Sequence, residues 1–250
     1  MDTPPRLASF SPPLHCAVIG AGGGLGAAIV AALLASERVA SVHAASRTPP
    51  PVPHARLAWS PLELTDEDSI AAAAAAAGRQ GPLDLVIVAS GRLHGEALQP
   101  EKRWEQLSAA ALGELFAINA TGPALCAKHF LPLLRADAKA VFAAVSARVG
   151  SIGDNRAGGW YAYRASKAAL NMLLKTLALE LARRRPRALC LGLHPGTVDT
   201  ALSRPFQRAV PDGRLFTPAV SAAHLLDVID RAGPADSGSV LAWDGSTVPP

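Results

Sequence analysis

The chain has 250 residues, of which 50% are hydrophobic, and its formal net charge at pH 7 is +4. This length and apolar content predict a single α/β domain in which helices cover a parallel sheet on both faces. No apolar run approaches the roughly 18 residues that a membrane helix needs, so we expect no membrane partner. The basic residues cluster at one predicted helix end without interleaved aromatic residues, so we expect no nucleic-acid partner.

Residues 1–13 precede the first predicted element. This segment is rich in proline and carries Asp2, which argues against a signal peptide. We therefore predict a flexible leader over 1–13 and one domain over 14–250. Three cysteines are isolated in apolar surroundings without metal-binding spacing, so we expect buried thiols, no metal site and a reducing, cytoplasmic location. These cysteines are Cys16, Cys126 and Cys190.

A glycine-rich turn joins the first predicted strand to the first predicted helix. Cys16–Ile19 is a short apolar run typical of a buried strand, and a helical alanine and leucine pattern begins after the glycines. Such a turn lets backbone approach a phosphate, and the helix N-terminus offers free N–H groups to a pyrophosphate. We predict a dinucleotide site here; the alternative is a flexible turn, since a glycine pattern alone is weak evidence. The assigned residues are Gly20, Gly22, Gly24, Leu25 and Gly26.

Strand-like and helical segments then alternate to the end of the chain. This alternation predicts a Rossmann-type, doubly wound α/β domain with a mostly parallel seven-stranded sheet. The predicted strands are Cys16–Ile19, Val39–Ala44, Leu57–Trp59, Leu85–Ala89, Ala140–Val145, Ala188–Leu193 and Val240–Trp243. The predicted helices include Ser69–Ala77, Leu107–Leu134, Tyr161–Arg184 and Ser221–Arg231.

The end of the second predicted strand bears on the choice of cofactor. An NAD enzyme of this fold normally has Asp or Glu here to bind the ribose 2′-hydroxyl. This chain has Ser46 and Arg47, a hydroxyl donor and a cation that suit an adenosine 2′-phosphate. We therefore predict NADP(H) in preference to NAD(H). The alternative is that Arg47 is only a solvent-facing loop residue.

Tyr163 and Lys167 lie four residues apart at the start of an alanine-rich helical segment. Residues at this spacing project from the same helix face. An ammonium beside a phenol favours the phenolate and lowers the phenol pKa from its usual value of about 10. Tyr163 is therefore a candidate general acid or base for a hydroxyl proton. An ordinary amphipathic helix would carry the same pair, so the spacing alone does not show whether Tyr163 is catalytic.

The glycine turn and the Tyr–Lys pair together resemble the classical short-chain dehydrogenase/reductase family, and the similarity runs through nearly the whole chain. Gly20, Gly24 and Gly26 match its Thr-Gly-x-x-x-Gly-x-Gly motif, with Ile19 in place of the threonine. The resemblance implies a carbonyl or alcohol as small-molecule substrate, and a homodimer or homotetramer. The segments most similar to the C-factor and carbonyl-reductase-like branch are Gly150–Ile152, Tyr161–Asn171 and Leu193–Gly196.

The resemblance assigns further residues to the nicotinamide end of the site. Asn119 matches the family's helix asparagine, which supports a proton-relay water near the lysine. The Pro-Gly segment after the sixth predicted strand implies cofactor contacts from Pro195, Gly196, Val198 and Thr200. In the reaction that the family performs, Tyr163 would protonate the developing alkoxide, while the lysine would lower the tyrosine pKa and bind the nicotinamide ribose.

Two segments near the predicted cofactor site differ from the family pattern. Glu63 and Leu64 follow the third predicted strand where the family often has Asp-Val, which implies that they border the adenine. After the fourth strand the family has Asn-Asn-Ala-Gly, whereas this chain ends the segment with Ser90 and Gly91. The asparagine contacts must therefore be rebuilt there, and we expect the Ser90 hydroxyl to contribute.

The sequence leaves two alignments open for the catalytic serine. The family carries a Ser-Ser doublet after the fifth strand, and the second hydroxyl polarises the carbonyl. An ungapped alignment through Gly150 places Ala147 at that second position and Ser146 at the first. Because a shift of one residue turns a strand side chain to the opposite face, a small bulge would be needed to bring Ser146 into the site. We assign Ser146 on that basis, with Ser151 as a further candidate.

The sequence as a whole therefore predicts an NADP(H)-dependent carbonyl reductase or alcohol dehydrogenase. The alternative is a dinucleotide-binding protein with a regulatory or signalling role and little turnover. The C-factor resemblance and the open serine assignment leave this alternative open. An apolar segment over 201–217 has the character of a substrate-covering loop and suggests a hydrophobic substrate. A loop that merely packs on the core would have the same composition.

Overall fold

All seven predicted strands form in the computed structural model, which describes residues 5–250. The main strands are β1 (Leu14–Ile19), β2 (Val39–Ser46), β3 (Leu57–Pro61), β4 (Leu85–Val88), β5 (Ala140–Val145) and β6 (Ala188–His194). The short strands are β7 (Thr197–Val198), β8 (Leu215–Phe216), β9 (Val240–Ala242) and β10 (Thr247–Val248). The helices are α1 (Gly24–Ala35), α2 (Glu67–Ala77), α3 (Ala109–Phe116), α4 (Gly122–Phe130), α5 (Tyr161–Arg184) and α6 (Pro218–Arg231).

The central sheet has the strand order β10-β9-β6-β5-β4-β1-β2-β3. Seven of its strands are parallel, as the sequence predicts, and β10 adds an eighth that pairs antiparallel with β9. The chain leaves β1 toward β2 and β3 and then returns to place β4 on the other side of β1. This reversal opens a crevice at the carboxyl ends of β1 and β4, where doubly wound folds bind their ligands.

The parallel strands are apolar on both faces because helices cover both. In β1, Val18 packs with the cluster that includes α1 and α6, whereas Ile19 packs with α2, α4 and α5. Both side chains are fully buried, and successive residues of a strand point to opposite faces. The sheet is therefore the middle of three layers, and its carboxyl edge is where the loops gather.

The predicted helix over residues 107–134 contains a π-helical turn. Residues Ala117–Thr121 form this turn between α3 and α4, and the helical run Ala109–Leu133 is continuous through it. This run is long and apolar enough, by length and composition, to cross a membrane, with a third of its most apolar window buried. The prediction that no such run exists is therefore wrong, although a core helix of this kind has the same composition.

Part of the predicted flexible leader is packed against the domain in the structure. Residues 1–4 lie outside the described residues, but Leu7 and Phe10 are buried in the core. The N–H groups of residues 8 and 9 donate to the Asp230 carboxylate over 2.9 and 2.8 Å. Arg38 donates to the Leu7 and Phe10 carbonyls. Proline content alone did not reveal these contacts, because they are made with residues far along the chain.

Candidate active site

The glycine turn after β1 is too tight for side chains at two positions. Gly20 has φ +85°, and a Cβ there would overlap the Ser90 hydroxyl. A Cβ on Gly26 would overlap the Gly20 carbonyl. Because Gly23 at the helix N-cap has no side chain, the first-turn N–H groups of α1 remain available to an anion. This cradle fits the pyrophosphate of a dinucleotide, as the sequence predicts.

The β2 end lies directly beside this turn. A Cβ on Gly22 would contact the Ser46 Cβ and the Thr48 hydroxyl, each at 3.6 Å. The buried Ser46 hydroxyl donates to the Thr48 carbonyl at 2.7 Å and accepts from the Trp59 indole at 3.2 Å. Ser46 therefore shapes the loop, while Arg47 is exposed beyond it. Thr48 is a candidate contact that the sequence reasoning missed, since a lone threonine after a strand carries no pattern.

The segments after β3 and β4 reach the same crevice. Leu64 is buried against Gly122 of α4, where a Cβ would approach the Leu64 Cβ to 2.9 Å. The neighbouring Glu63 is anchored through its backbone to the Ser69 hydroxyl at 3.0 Å. On the other side, the Ser90 hydroxyl lies against Gly20 of the glycine turn. Leu64 thus lies beside α4, and Ser90 lies beside the glycine turn.

Asn119 joins the loop after β4 to α5. Its Oδ1 accepts from the Arg92 N–H and its Nδ2 donates to the Arg92 carbonyl, both at 2.8 Å. The same Nδ2 donates to the Ser166 hydroxyl at 3.1 Å. A Cβ on Gly91 would lie 3.5 Å from both Asn119 Oδ1 and Lys167 Nζ. The π-helical turn therefore places this amide next to the lysine, as the resemblance implies.

Tyr163 and Lys167 are both buried on the first turns of α5, and the lysine Nζ lies 5.9 Å from the tyrosine ring centroid. The same Nζ donates to the Val145 carbonyl at the end of β5 over 2.8 Å. This bond holds the ammonium against the carboxyl edge of the sheet. The pair, the glycine turn and Asn119 consequently meet at one place in the fold, which the sequence predicts only as separate motifs.

The electrostatics of the pair differ from the sequence prediction. Burial raises the pKa of Tyr163 to about 12, and burial lowers the pKa of Lys167 to about 8. Removal from water penalises the charged form of each group, and in this structure that penalty outweighs the attraction of the ammonium for the phenolate. The phenol therefore keeps its proton at neutral pH, which is the state that a general acid needs.

The depressed lysine pKa predicts a pH-dependent stability that Lys167→Met removes. Burial lowers the folded-state pKa of Lys167 from 10.5 to about 8, so between these values the unfolded chain binds more protons and stability rises with pH. We expect the wild type to gain about 2 kcal/mol in free energy of unfolding, relative to the variant, between about pH 7.5 and about pH 9.5. Urea unfolding of both proteins measures this; a pH-independent difference would contradict it.

The structure does not support the assignment of Ser146 as the catalytic serine. Its buried hydroxyl donates to the Asn171 Oδ1 at 2.6 Å. The pairing of β5 with β6 is regular, and the Ser146 N–H continues it to the Leu193 carbonyl, so the bulge that the assignment requires is absent. Ala147 instead packs in the cluster that contains Tyr163.

The other candidate serine, Ser151, also uses its hydroxyl in other hydrogen bonds. The Ser151 hydroxyl donates to the Pro250 carbonyl at 3.3 Å and accepts from the Asp154 N–H at 3.0 Å. The side chain is buried. Strand alternation therefore places an alanine where the family's second serine stands, and neither nearby hydroxyl takes over its position in this structure.

The segment after β6 closes the site from the far side. Gly196 has φ +73° and packs against Phe216, and the Pro195 carbonyl accepts from the Ser221 hydroxyl at 2.9 Å. Val198 is buried in β7, while the Thr200 methyl reaches the glycine turn, 2.9 Å from the position of a Cβ on Gly24. Thr200 thus lies against the glycine turn, and Pro195, Gly196 and Val198 precede it in the same segment.

An apolar cluster lies over Tyr163 on the substrate side. It includes the buried Leu93 and Leu98, and residues of the 201–217 segment pack on it. The Phe206 ring lies 4.9 Å from the Trp160 ring, and the His94 Nε2 lies 3.1 Å from the Leu202 carbonyl. Pairing of β7 with β8 holds the two ends of this segment together. His94 is a second residue of the candidate site that the sequence analysis did not identify.

The cysteines lie away from this site. All three are buried and free, and burial raises the pKa of the Cys126 and Cys190 thiols to about 12. Within residues 5–250, no group of three or more His, Cys, Asp or Glu side chains is arranged to hold a metal ion. The cysteine environment is thus that of small core hydrophobes.

The chain is similar in sequence and in structure to known proteins. Residues 15–210 match the family model of the short chain dehydrogenases. The C-signal of Myxococcus xanthus is 39% identical over 141 residues, covering 56% of this chain and 79% of that protein. The 1-hydroxy-2-glutathionyl-2-methyl-3-butene dehydrogenase of Rhodococcus sp. (strain AD45) is 33% identical over 186 residues, covering 74% of this chain and 76% of that protein. The NADPH-bound carbonyl reductase from chicken fatty liver superposes with a TM-score of 0.81 at 27% identity, covering 99% of each chain.

A phosphate cradle at the switch point of a doubly wound sheet, with a buried Tyr–Lys pair beside it, defines a class of nicotinamide-dinucleotide oxidoreductases. The family match extends over most of the domain. The chain belongs to the short-chain dehydrogenase/reductase family, in its carbonyl-reductase-like branch.

Proposed function

We propose that this protein reduces a hydrophobic carbonyl compound to an alcohol, with NADPH as the hydride source. The observation that carries the proposal is Tyr163, which is buried in an apolar cluster with the Lys167 Nζ 5.9 Å from its ring centroid. A phenol that keeps its proton can donate it to an alkoxide as that charge develops.

Each part of the site has a role in this proposal. The cofactor supplies the hydride when it is bound. The first turn of α1 and the glycine turn would hold its pyrophosphate, and Asn119 with Lys167 would hold the proton-relay water and the nicotinamide ribose. Tyr163 would protonate the substrate oxygen. Leu93, Leu98 and Phe206 would exclude water from the reacting carbonyl.

The preference for NADPH is supported by Arg47 and the adjoining hydroxyl of Thr48, and by the absence of a carboxylate at the β2 end. Arg47 is exposed and close to the cradle, where it can meet a 2′-phosphate without first breaking an ion pair among the described residues. Two similar structures have NADPH or NADP bound, at 27% and 25% identity.

Arg47→Ala is expected to weaken NADPH binding by about ten- to a hundredfold and to leave NADH binding nearly unchanged, because a charge-assisted contact to the 2′-phosphate contributes roughly 1.5–3 kcal/mol. Titration calorimetry with both cofactors measures this. Arg183→Ala, an exposed arginine near the end of α5, is the charge-matched control. Equal losses for both cofactors would show that Arg47 supports the loop and not the phosphate.

A second candidate function is dinucleotide binding with a regulatory or signalling role and little turnover. Ala147 favours it, since this position lacks the hydroxyl that would polarise a carbonyl. The similarity to a protein named C-signal points the same way. Steady-state rates with NADPH and a panel of aldehydes, ketones and quinones separate the two functions. Tight NADPH binding without turnover of any member would favour regulation.

We also propose that the protein acts in the cytoplasm as a homodimer or homotetramer. The three free, buried thiols suit a reducing compartment. Apolar residues exposed on one side of α5, including Met172 and Leu179, suit burial against another copy. Sedimentation in the presence and absence of NADPH tests the assembly, and a monomer under both conditions would exclude it.

A further inference from the structure

Glu101 is a buried carboxylate that no motif of the site contains. Its side chain is 4% exposed and lies in the loop before α3. The backbone carbonyl of Glu101 accepts from the Trp160 N–H at 2.5 Å, and its Oε2 accepts from the Ala162 N–H at 3.3 Å. A Cβ on Gly159 would approach the same carbonyl to 3.3 Å. Glu101 thus hydrogen-bonds to two residues at the start of α5 and lies close to Gly159.

The start of α5 has no capping side chain of its own. Trp160 is its N-cap residue and makes no side-chain cap hydrogen bond. The first-turn N–H groups of a helix have no intrahelical acceptor, and a Ser, Thr, Asp or Asn at the N-cap usually supplies one. The Glu101 carboxylate supplies it here to the Ala162 N–H, 61 positions later in the chain, and its negative charge suits the positive end of the helix dipole.

The chain enters α5 through an unusual backbone conformation. Gly158, Gly159 and Trp160 have φ values of +63°, +64° and +53° in succession. L residues rarely adopt this left-handed conformation, so a tryptophan there must be held by its surroundings. In this conformation the indole ring lies 6.2 Å from the Tyr163 ring in an edge-to-face arrangement. The entry to the helix therefore sets where both aromatic rings stand.

The carboxylate is not optimal for stability alone. Its Oε1 is buried and has no hydrogen-bond partner among the described residues. Desolvating an acceptor without a partner is costly, so an apolar residue of similar volume would suit a loop that only had to pack. The Oε2 contact to the helix is the feature that such a residue would lose.

We propose that Glu101 is a positioning residue for the reaction, which clamps the first turn of α5 and thereby fixes the Tyr163 phenol and the Trp160 indole over the carbonyl site. Tyr163 is the third residue of α5, one position after the N–H that Glu101 accepts. A shift of this turn moves the phenol hydroxyl relative to the substrate but leaves the glycine cradle, on the other side of the crevice, in place. The inference rests on the proposed reductase function.

Two conservative variants separate the effect of side-chain length from the effect of charge at Glu101. Glu101→Gln keeps the length of the side chain and an acceptor oxygen, whereas Glu101→Asp keeps the charge but withdraws it from the Ala162 N–H. With the best substrate of the panel, we expect Glu101→Asp to lower kcat on the order of 10–100-fold with unchanged NADPH affinity, and Glu101→Gln to retain most of the activity. Wild-type kcat in both variants would overturn the proposal, as would equal losses of NADPH affinity and kcat.

A double-mutant cycle distinguishes positioning from a general structural role. If Glu101 acts through the phenol hydroxyl, Glu101→Asp will cost far less in kcat when Tyr163 is already Phe. A role in folding alone would lower kcat by the same factor in both backgrounds, and that result would overturn the proposal.

A turnover-independent measurement keeps the inference testable if no substrate is found. The chain has two tyrosines, so a Tyr161→Phe background leaves Tyr163 as the only phenol. Burial raises the pKa of Tyr163 to about 12, and Lys167 is the ionisable group on α5 beside it. We expect Glu101→Asp to move the ultraviolet phenolate transition downward, toward the ordinary value of about 10, because the loosened turn admits water. An unshifted transition would overturn the proposal, whether or not the protein turns over a carbonyl.

Discussion

Tyr163→Phe is expected to lower turnover by at least about a hundredfold while NADPH affinity barely changes. The substitution removes the transferable proton but keeps the ring that packs with Trp160 and the apolar cluster. Because burial raises the pKa of Tyr163 to about 12, the wild-type phenol is protonated across the neutral range and no other phenol lies at this position. Single-turnover reduction with NADPH isolates the chemical step from product release.

Tyr161→Phe is the matched control for this prediction. Tyr161 is the only other tyrosine of the chain, on the first turn of the same helix. It should retain near wild-type turnover. If Tyr163→Phe retained more than about a tenth of the wild-type rate, the acid role of Tyr163 would be wrong.

Ala147→Ser is expected to raise turnover by at least about tenfold, because a single positioned donor to a developing oxyanion typically contributes 10²–10³-fold. The regular continuation of β5 directs this position toward the cluster that contains Tyr163. An added hydroxyl there could donate to the carbonyl oxygen that Tyr163 protonates. Steady-state kinetics with the best substrate of the panel measure the gain as kcat.

Ser146→Ala and Ser151→Ala are the controls for the register of this segment. The two hydroxyls are engaged with Asn171 and with the Pro250 carbonyl, so their loss should alter stability more than turnover. A large loss of turnover in Ser146→Ala, with no gain in Ala147→Ser, would restore the bulged register that the sequence resemblance favoured.

Much of the fold follows from local patterns that need no tertiary information. Strand and helix periodicity predicts the seven parallel strands to within a few residues, and α5 is predicted at its observed bounds, Tyr161–Arg184. Asp66 caps α2 through N–H groups two and three residues later, which a local pattern can anticipate. In the same way, a tight turn between a strand and a helix requires glycines such as Gly20 and Gly26, so the cradle is visible in the sequence.

Features decided by distant contacts were harder to predict. The N-terminal segment reads as a leader from its prolines, yet Leu7 and Phe10 are buried against residues more than twenty positions away. The pKa of Tyr163 depends on how completely the phenol is removed from water, which the spacing to Lys167 does not reveal. Burial dominated the attraction of the ammonium, and only the packed structure defines burial.

The sequence by itself determined the family, the parallel sheet, the dinucleotide cradle and the Tyr163–Lys167 pair, because each depends on residue types at short, regular separations. The tertiary structure alone decided which way Ser146 and Ala147 face and that Glu101 caps the helix that carries the pair. The first depends on whether β5 continues its pairing without a bulge, and the second on a carboxylate that meets a helix N-terminus across 61 positions of chain. Short-range sterics leave such long-range choices open, and packing and hydrogen-bond satisfaction settle them.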